Sequence, residues 1–487
     1  MPHAPVPQLI KTLAAASLIG LLTGCQPSQA PSNATPLLDD EATALMVALS
    51  ESEPAEARRA LDAVVQSGDQ RFVAVLIELL RFNQLDVVQG AGFEAHVEAL
   101  ERLSGEHFGG DWPAWVEWYG ATDLTPPPGF TAWKGELLAR IDPLFAEFLR
   151  DEYPSRIRAE EIQWGGVLVD GIPPLDYPQH VRPEEATYLR PEDAVFGIAV
   201  RDEARAYPLR IVDWHEMVND VIAGQFFSLA YCTLCGAAIP YVGRTPDTIY
   251  TFGTSGLLYR SNKLMYDRQT RTLWNQLTGE PVLGELADSD LQLEFLPVVL
   301  TTWADWLEQH PETYVLSIDT GYQRPYEAGA AYGDYFTSPD TMFPVWQRSD
   351  LLDDKNQVYA LTLDGVPRAY PVDVLARAGV VNDTVGATAV VLVAGRGAVT
   401  IRGANRFGEE VTYSSGAEVR AYERGDHSFR PGPTPDSVID EEGRAWQVTE
   451  GALIGPGGET APRVSGHLAY WFGWYAMFPQ TQVYGVD

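Results

Sequence analysis

The apolar residues between residues 40 and 119 are spaced as on the buried faces of α-helices. Two amphipathic faces have this spacing, the first with Leu61, Val64 and Val65 and the second with Phe72, Val75, Leu76, Leu79 and Leu80. Ser67-Gly68-Asp69 lies between them and predicts a turn. We therefore predict two antiparallel helices joined at this turn, within a small helical domain over residues 40–125.

The pattern changes after residue 125. Residues 125–129, Thr-Pro-Pro-Pro-Gly, break any helix and mark a boundary. A further helix is predicted over residues 135–150, inside a connecting segment of residues 126–159. Alternating runs rich in aliphatic and aromatic residues then predict strands over residues 194–200, 225–231, 248–252 and 291–299. The fold class is therefore predicted to be α+β, an N-terminal α-helical domain followed by mainly β domains.

An internal repeat divides the strand-rich part of the chain. Arg205-Ala206-Tyr207-Pro208 recurs as Arg368-Ala369-Tyr370-Pro371, and Val218-Asn219-Asp220 recurs at the same offset as Val381-Asn382-Asp383. Residues 267–284 with Trp274 also parallel residues 440–455 with Trp446, and residues 303–316 parallel residues 471–484. We predict two tandem copies of one ancestral domain, residues 160–345 and residues 346–487.

When the two copies are aligned, four reactive or metal-binding side chains of the first copy correspond to small residues in the second. At the constant offset the pairs are His215 with Ala378, Glu216 with Gly379, Cys232 with Gly395, and Cys235 with Ala398. A residue that the shared fold requires would be retained in both copies. The chemistry is therefore predicted to lie in the first copy, with drift of a redundant copy as the alternative.

The N-terminus has the features of an export signal. Lys11 precedes an apolar run over residues 13–22, which is too short to span a bilayer, and Leu22-Thr23-Gly24-Cys25 follows. Residues 1–25 resemble a bacterial lipoprotein signal peptide, and this resemblance implies that Cys25 is acylated. Residues 26–39 would then form a flexible tether. We predict an exported protein anchored by lipid to a membrane facing the periplasm or cell exterior. Gln26, directly after the cysteine, resembles lipoproteins sorted to the outer membrane, which implies that membrane if the cell is Gram-negative.

The charge of the chain excludes one class of partner. With 34 Lys and Arg against 67 Asp and Glu, the net charge is −33, which repels phosphate backbones. Nucleic acid is therefore not an expected partner, and the acidity is expected to keep an exported protein soluble. Protein partners are not predicted.

Cys232 and Cys235 are the cysteines that remain if Cys25 carries lipid. They stand in a predicted tight turn after a strand, with Gly236 free to adopt positive φ. Two converging thiolates favour metal or redox chemistry. Copper or zinc is the predicted metal, with His215 as the third ligand and Glu216 as a fourth ligand or a partner of the ligands. Met265 could supply a thioether to Cu(I), although a role in the core is the simpler interpretation.

Two other hypotheses stay open for the cysteine pair. The pair could form a disulfide and act as a thiol-disulfide oxidoreductase, although the surrounding pattern is not that of a thioredoxin-like domain. The pair could instead only staple a turn, in a non-catalytic binding or scaffold lipoprotein.

A polar pocket is a further candidate site. Arg268, Asn275 and Gln276 stand near aromatic residues, whereas Asp267 and Trp274 recur in the second copy and are predicted to be structural. Ser255 lies in Phe252-Gly253-Thr254-Ser255-Gly256, which has the small residues of an anion-binding loop but lacks the Lys-Ser/Thr of a phosphate loop. A glycine-rich turn between strands is the simpler prediction there.

Two stretches resemble known families. Residues 56–82 resemble a single HEAT-type helical pair. The other resemblance rests on five motifs in order: Trp214-His215-Glu216-Met217-Val218-Asn219-Asp220, Tyr231-Cys232-Thr233-Leu234-Cys235-Gly236, Phe252-Gly253-Thr254-Ser255-Gly256, Tyr266-Asp267-Arg268, and His310-Pro311 through Thr320-Gly321-Tyr322. Together they resemble the bacterial family known as domain of unknown function 3179, over residues 160–345 in full and more weakly over the second copy. Thr233 stands where that family often has Pro, and the resemblance implies no particular reaction.

Overall fold

A computed structural model of the chain describes residues 37–51, 53–245, 248–404 and 407–486. Cys25 and the predicted signal peptide lie outside these ranges, so acylation of Cys25 stays a prediction. Among the helices within them, none combines the length and the apolar character that a membrane crossing needs.

The described chain begins with a helical region. Its helices are α1 (Asp39–Leu49), α2 (Pro54–Ser67), α3 (Phe72–Gln84), α4 (Phe93–Ser104), α5 (Trp112–Gly120), α6 (Phe130–Ala139) and α7 (Phe145–Phe148). The two predicted helices are confirmed as α2 and α3, and α2 ends at Ser67 with Gly68 after it at a φ of 65°. Their antiparallel packing against each other is not confirmed, because α2 packs on α1 and α4 whereas α3 packs on α4 and α5. The single helix predicted over residues 135–150 is wrong. The helix α6 already ends at Ala139, and Pro143 lies in the break before α7, because proline disfavours an uninterrupted helix.

The first strand-rich half follows. Its strands are β1 (Ile162–Trp164), β2 (Leu175–Asp176), β3 (His180–Val181), β4 (Ala194–Val200), β5 (Glu203–Pro208), β6 (Met217–Ile222), β7 (Gln225–Cys232), β8 (Ala237–Val242), β9 (Phe252–Tyr259), β10 (Asn262–Asp267), β11 (Leu273–Asn275), β12 (Pro281–Leu283), β13 (Val299–Thr302) and β14 (Tyr314–Leu316). Its helices are α8 (Leu209–Val212), α9 (Trp303–Gln309) and α10 (Gly333–Thr337), with 3-10 turns at Ala159–Glu161 and Pro183–Glu185.

Three sheets form this half. Their strand orders are β1-β9-β10-β11-β12, β13-β4-β5-β14-β3 and β2-β6-β7-β8. The strands predicted over residues 194–200 and 225–231 are confirmed as β4 and β7. The predictions for residues 248–252 and 291–299 are wrong in extent, because regular pairing starts only at Phe252 and at Val299. In the second case Pro297 precedes the strand and cannot donate a backbone hydrogen bond.

The second half has the remaining elements. They are β15 (Gln357–Leu363), β16 (Val366–Pro371), α11 (Val372–Ala378), β17 (Val380–Val385), β18 (Thr388–Val393), β19 (Ala398–Ala404), β20 (Glu410–Ala417), β21 (Arg420–Glu423), β22 (Arg430–Pro431), β23 (Ser437–Ile439), β24 (Ala445–Val448), β25 (Ala452–Ile454), β26 (Thr460–Val464), β27 (His467–Tyr470), α12 (Trp471–Met477) and β28 (Gln482–Val483). Their sheet orders are β27-β15-β16-β28, β17-β18-β21-β26-β25-β24-β23-β22, and the pair β19-β20. The chain is therefore a mixed α+β protein with helices first and a β-rich region after them.

The sheet β27-β15-β16-β28 has the same strand directions as β13-β4-β5-β14. In each, a hairpin of two long strands is flanked by an antiparallel strand on one side and a short parallel strand on the other. Arg205 lies opposite Tyr314 in the first sheet, and Arg368 lies opposite Gln482 in the second. In each half, an aspartate of the next hairpin, Asp220 or Asp383, accepts hydrogen bonds from the arginine and the tyrosine of the Arg-Ala-Tyr-Pro strand. The donors are Arg205 and Tyr207 at 2.9 and 2.7 Å, and Arg368 and Tyr370 at 3.1 and 2.9 Å.

Three further side-chain hydrogen bonds have counterparts in the two halves. Asn219 bridges the backbone of Phe252, as Asn382 bridges the backbone of Phe429. The indoles of Trp274 and Trp446 donate to Asp267 and Asp440, each at 2.9 Å. The indoles of Trp306 and Trp474 donate to Thr313 and Thr481, at 2.9 and 2.8 Å.

The two halves share a hydrophobic core. One hydrophobic core contains Cys232, Cys235 and Trp274 of the first half together with Val358 and Trp471 of the second. The helical region likewise shares a core with strands β9, β10 and β11 of the first half. The turn that carries the two cysteines is therefore held between both halves.

Candidate functional site

The cysteine turn connects β7 to β8. Cys232 is the last residue of β7, and the backbone N–H of Cys235 donates to the carbonyl of Cys232 at 3.2 Å. Gly236 has a φ of 62°, so the expected tight turn with positive φ at this glycine is confirmed. Cys232 and Cys235 are joined by a disulfide, with Cα atoms 5.3 Å apart.

A cavity of about 70 Å³ lies beside this turn. The turn contributes Cys232, Thr233 and Leu234, and the polar residues facing them include Glu216 and Lys263. The remaining wall is mostly apolar and includes Ile172, Leu257, Leu258, Leu264, Met342 and Phe343. The disulfide is therefore placed next to a small, largely apolar space that contains one ion pair.

Glu216 and Lys263 form that pair. The Lys263 ammonium lies 3.2 Å from Glu216 Oε2 and also donates to the carbonyls of Glu216 and Tyr231, at 3.2 and 3.4 Å. Tyr332 donates to Glu216 Oε1 at 3.1 Å. Burial lowers the pKa of Lys263, because removal from water disfavours the charged form, and the Glu216 carboxylate opposes this shift. A lysine whose charged form is disfavoured by burial thus lines the cavity with Cys232.

The backbone at Glu216 is strained. Its φ is 53°, and the N–H of Met217 donates to the carbonyl of His215 at 2.6 Å, which closes a γ-turn around Glu216. Gly379 occupies the corresponding corner of the second half with a φ of 70°. The backbone thus has positive φ at this position in both halves. Glycine adopts positive φ without strain, whereas the first half has a glutamate there. Such strain is concentrated at functional sites.

His215 points to a different environment. Its Nδ1 lies 2.7 Å from the carbonyl of Pro173 and its Nε2 lies 2.6 Å from the hydroxyl of Tyr326. It is not among the residues that line the cavity. Both ring nitrogens are occupied by these contacts.

The described residues contain no group of three or more His, Cys, Asp or Glu side chains that could hold a metal ion. The structure therefore does not bring Cys232, Cys235, His215 and Glu216 together as one ligand set. Met265 is fully buried in the core that contains both cysteines. Copper or zinc binding stays an untested prediction.

Residues 326–343, which we name the tyrosine strap, cover this region. Three of its tyrosine hydroxyls reach toward the candidate residues: Tyr326 contacts His215, Tyr332 donates to Glu216, and Tyr335 donates to the carbonyl of Leu234 at 2.7 Å. The sequence analysis did not identify the strap or Lys263 as part of the site. A lysine within the apolar run of β10 was a usable signal for Lys263, whereas the strap sequence had no pattern that pointed to the cysteines.

The predicted polar pocket is not assembled. Arg268 pairs with Asp176 at 2.7 Å, and Gln276 donates to the carbonyls of Ala230 and Ala237. Asn275 caps the N–H of Leu277, and Ser255 donates to the carbonyl of Leu264. None of the four predicted residues lines the cavity described above. The glycine-rich turn predicted around Ser255 is wrong, because residues 252–259 form strand β9.

Comparison with known protein families identifies one family that matches this chain. A family model described as protein of unknown function (DUF3179) matches residues 169–481, which is more than half of the chain and extends through both halves. No curated protein and no solved structure matches the chain. The match does not stop at residue 345, where the full family domain was predicted to end. The family inferred from the five motifs is confirmed, and the chain belongs to the DUF3179 family.

Proposed function

We propose that this protein is an extracytoplasmic lipoprotein that carries out thiol-disulfide exchange at Cys232 and Cys235. The observation that carries the proposal is the disulfide whose Cys232 lines a cavity together with a buried lysine. A disulfide that only stapled a turn would not require a cavity or a buried charge beside it.

The buried ion pair supports this chemistry. The thiolate is the reactive form of cysteine, and a nearby cation stabilises it. Lys263 supplies a positive charge in the same cavity, and its lowered pKa allows it to release or accept a proton as a sulfur changes charge. Glu216 holds the ammonium in place, and the strained backbone at Glu216 is consistent with a functional requirement for that carboxylate.

We also propose that the two halves are tandem copies of one domain, with redox chemistry confined to the first. The equivalent hydrogen bonds of Asp220 and Asp383, and of Trp274 and Trp446, support a common origin. The second half has Gly395 where the first has Cys232, so it lacks the sulfur that exchange requires.

The test is a redox titration of the full chain in detergent, with free thiols counted by alkylation and mass spectrometry. We expect two thiols to appear and disappear reversibly in the folded protein, and none in Cys232→Ser with Cys235→Ser. Lys263→Met should raise the pKa of the reduced cysteine, measured from the pH dependence of alkylation.

The matched control is Lys134→Met, because Lys134 is also a buried lysine, paired with Glu78 at 2.5 Å in the helical region, and does not line this cavity. A disulfide that is reduced only after the chain is unfolded would overturn the proposal. Uptake of one equivalent of Cu(I) or Zn(II) by the reduced protein, abolished by Cys232→Ser, would favour the metal hypothesis instead.

A further inference from the structure

We infer that the thiol that exchanges with the Cys232–Cys235 disulfide is a low-molecular-weight thiol and not a cysteine of another protein. This inference rests on the proposed function and names the substrate class of the same site.

The first reason is the burial of the two sulfur-bearing residues. Cys232 is 2% exposed and Cys235 is fully buried. Exchange requires a thiolate to approach one sulfur directly. A cysteine on the surface of a folded protein cannot make this approach unless the site opens.

The second reason is the size of the space beside Cys232. The cavity of about 70 Å³ exceeds the minimum for one water molecule, which is roughly 10 to 15 Å³. It has room for a group of a few heavy atoms. It has no room for the neighbouring residues that accompany a protein cysteine.

The third reason is that the tyrosine strap forms one side of the cavity and narrows the approach to it. Met342 and Phe343 of the strap form part of its wall, and Tyr332 is bonded to Glu216 inside it. Tyr326 and Tyr335 fix the strap at two further points, His215 and Leu234. Moving the strap aside for a protein partner would break these hydrogen bonds together, whereas a small thiol needs only a local fluctuation.

The walls also suit a small polar thiol. The apolar side chains of the wall would surround a short stem, and Lys263 with Glu216 presents one positive and one negative group. Free cysteine has a short stem and both charges, so we choose it as the probe.

The reaction balances as two exchange steps. The thiolate of the small thiol attacks the sulfur of Cys232, the Cys232–Cys235 bond breaks, and Cys235 leaves as a thiolate that accepts a proton. A second thiolate attacks the mixed disulfide on the sulfur of the small thiol and displaces Cys232. Two small thiols are oxidised to one disulfide, and the protein disulfide is reduced to two thiols.

The test compares reduction rates of the folded and urea-unfolded full chain by free cysteine and by a reduced dithiol protein of the thioredoxin type. The unfolded chain corrects for the different intrinsic reactivity of the two reagents. We expect folding to slow reduction by cysteine by less than about 10-fold and reduction by the protein thiol by more than about 100-fold. Similar slowing of both would overturn this inference and leave the proposed function standing. Reduction of only the unfolded chain by either reagent would overturn both.

Strap variants test the cause of the size limit. Tyr335→Phe and Tyr326→Phe each remove one anchoring hydroxyl, and neither replaced residue lines the cavity. We expect each to speed reduction by the protein thiol several-fold while leaving the rate with cysteine within about 2-fold. Tyr177→Phe, at a residue that is 55% exposed, is the control. Unchanged protein-thiol rates in both strap variants would show that the strap is not the barrier and would overturn that part of the inference.

Discussion

The backbone around Glu216 and β7 in the first half has the same hydrogen bond as the backbone around Gly379 and β18 in the second half. The chain that follows β7 and the chain that follows β18 take different paths. In the first, the N–H of Tyr231 donates to the carbonyl of Glu216, and in the second the N–H of Ala394 donates to the carbonyl of Gly379, each at 2.8 Å. After β7 the chain turns and continues in the same sheet as β8, whereas after β18 it leaves that sheet and β19 pairs with β20.

This difference separates what the fold requires from what it does not. The corner forms in the second half with glycine at position 379 and without cysteines, so the carboxylate and the sulfurs of the first half are not needed to make it. Glu216 at a strained backbone position and Cys232 beside a cavity are therefore better explained by a chemical role than by a requirement of folding.

The largest expected effect concerns Asp220 and its counterpart Asp383, which differ in burial. The Asp220 side chain is 6% exposed and the Asp383 side chain is 18% exposed, and each accepts from an arginine and a tyrosine. Burial pushes the pKa of Asp220 upward, but hydrogen bonds and charge from His180 and Arg205 outweigh it, so the pKa is lowered. Asp220→Asn should cost about 3 kcal/mol of unfolding free energy, because it removes the buried carboxylate that pairs with Arg205 and leaves this arginine with Glu203 as its remaining counterion.

Asp383→Asn should cost less, about 1 to 2 kcal/mol, because solvent screens the more exposed pair. Urea denaturation of both variants checks the ranking. Equal losses would show that the two networks have the same energetic weight despite their different burial.

The next effect depends on pH and concerns a position where the halves differ. His467 begins β27, the counterpart of β13, which begins with Val299. Burial lowers the pKa of His467 to about 4, because the charged imidazole would be out of water. The unfolded chain binds the proton below about pH 6.5, so stability should fall as the pH drops from 6.5 to 4 by up to about 3 kcal/mol.

His467→Val should remove this part of the pH dependence, measured by urea unfolding at several pH values. His107→Val is the control, because the His107 side chain is 78% exposed. A His467→Val protein with an unchanged pH profile would contradict the assignment of this term to His467.

A symmetric effect is expected at the two tryptophan–threonine pairs. Thr313→Val and Thr481→Val each remove the acceptor of a buried indole N–H, which should cost about 2 kcal/mol. The loss should be slightly larger for Thr313, because its hydroxyl also donates to the carbonyl of Ala204. Thermal unfolding of both variants gives the comparison, and a loss confined to one half would argue against equivalent roles.

The smallest effect tests the backbone of the corner. Gly379→Ala should destabilise the protein by about 1 kcal/mol, since its φ of 70° is unfavourable for a residue with a Cβ atom. Gly397→Ala is the control, because a Cβ atom there meets nothing within 4 Å. A neutral Gly379→Ala would weaken the conclusion that Glu216 is strained at the matching position.

Local patterns predicted those parts of the molecule that local chemistry decides. The helical spacing around Leu61 and Leu76 predicted α2 and α3, and the alternating runs predicted β4 and β7. The five motifs also predicted the family, because they are stretches of sequence and need no coordinates. Where the pattern was ambiguous, as at Ser255 or near Pro297, the strand limits depended on pairing partners distant in sequence.

By itself the sequence determined the helical start, the strand-rich remainder and the family, and it identified Glu216 and the cysteine pair as candidate site residues. Only the tertiary structure decided the partners of these residues. It turned His215 toward Pro173 and Tyr326, and it brought Lys263 to Glu216 at 3.2 Å. The physical reason is that local periodicity predicts helices and strands, whereas side chains dozens of residues apart meet only through the packing of a shared core.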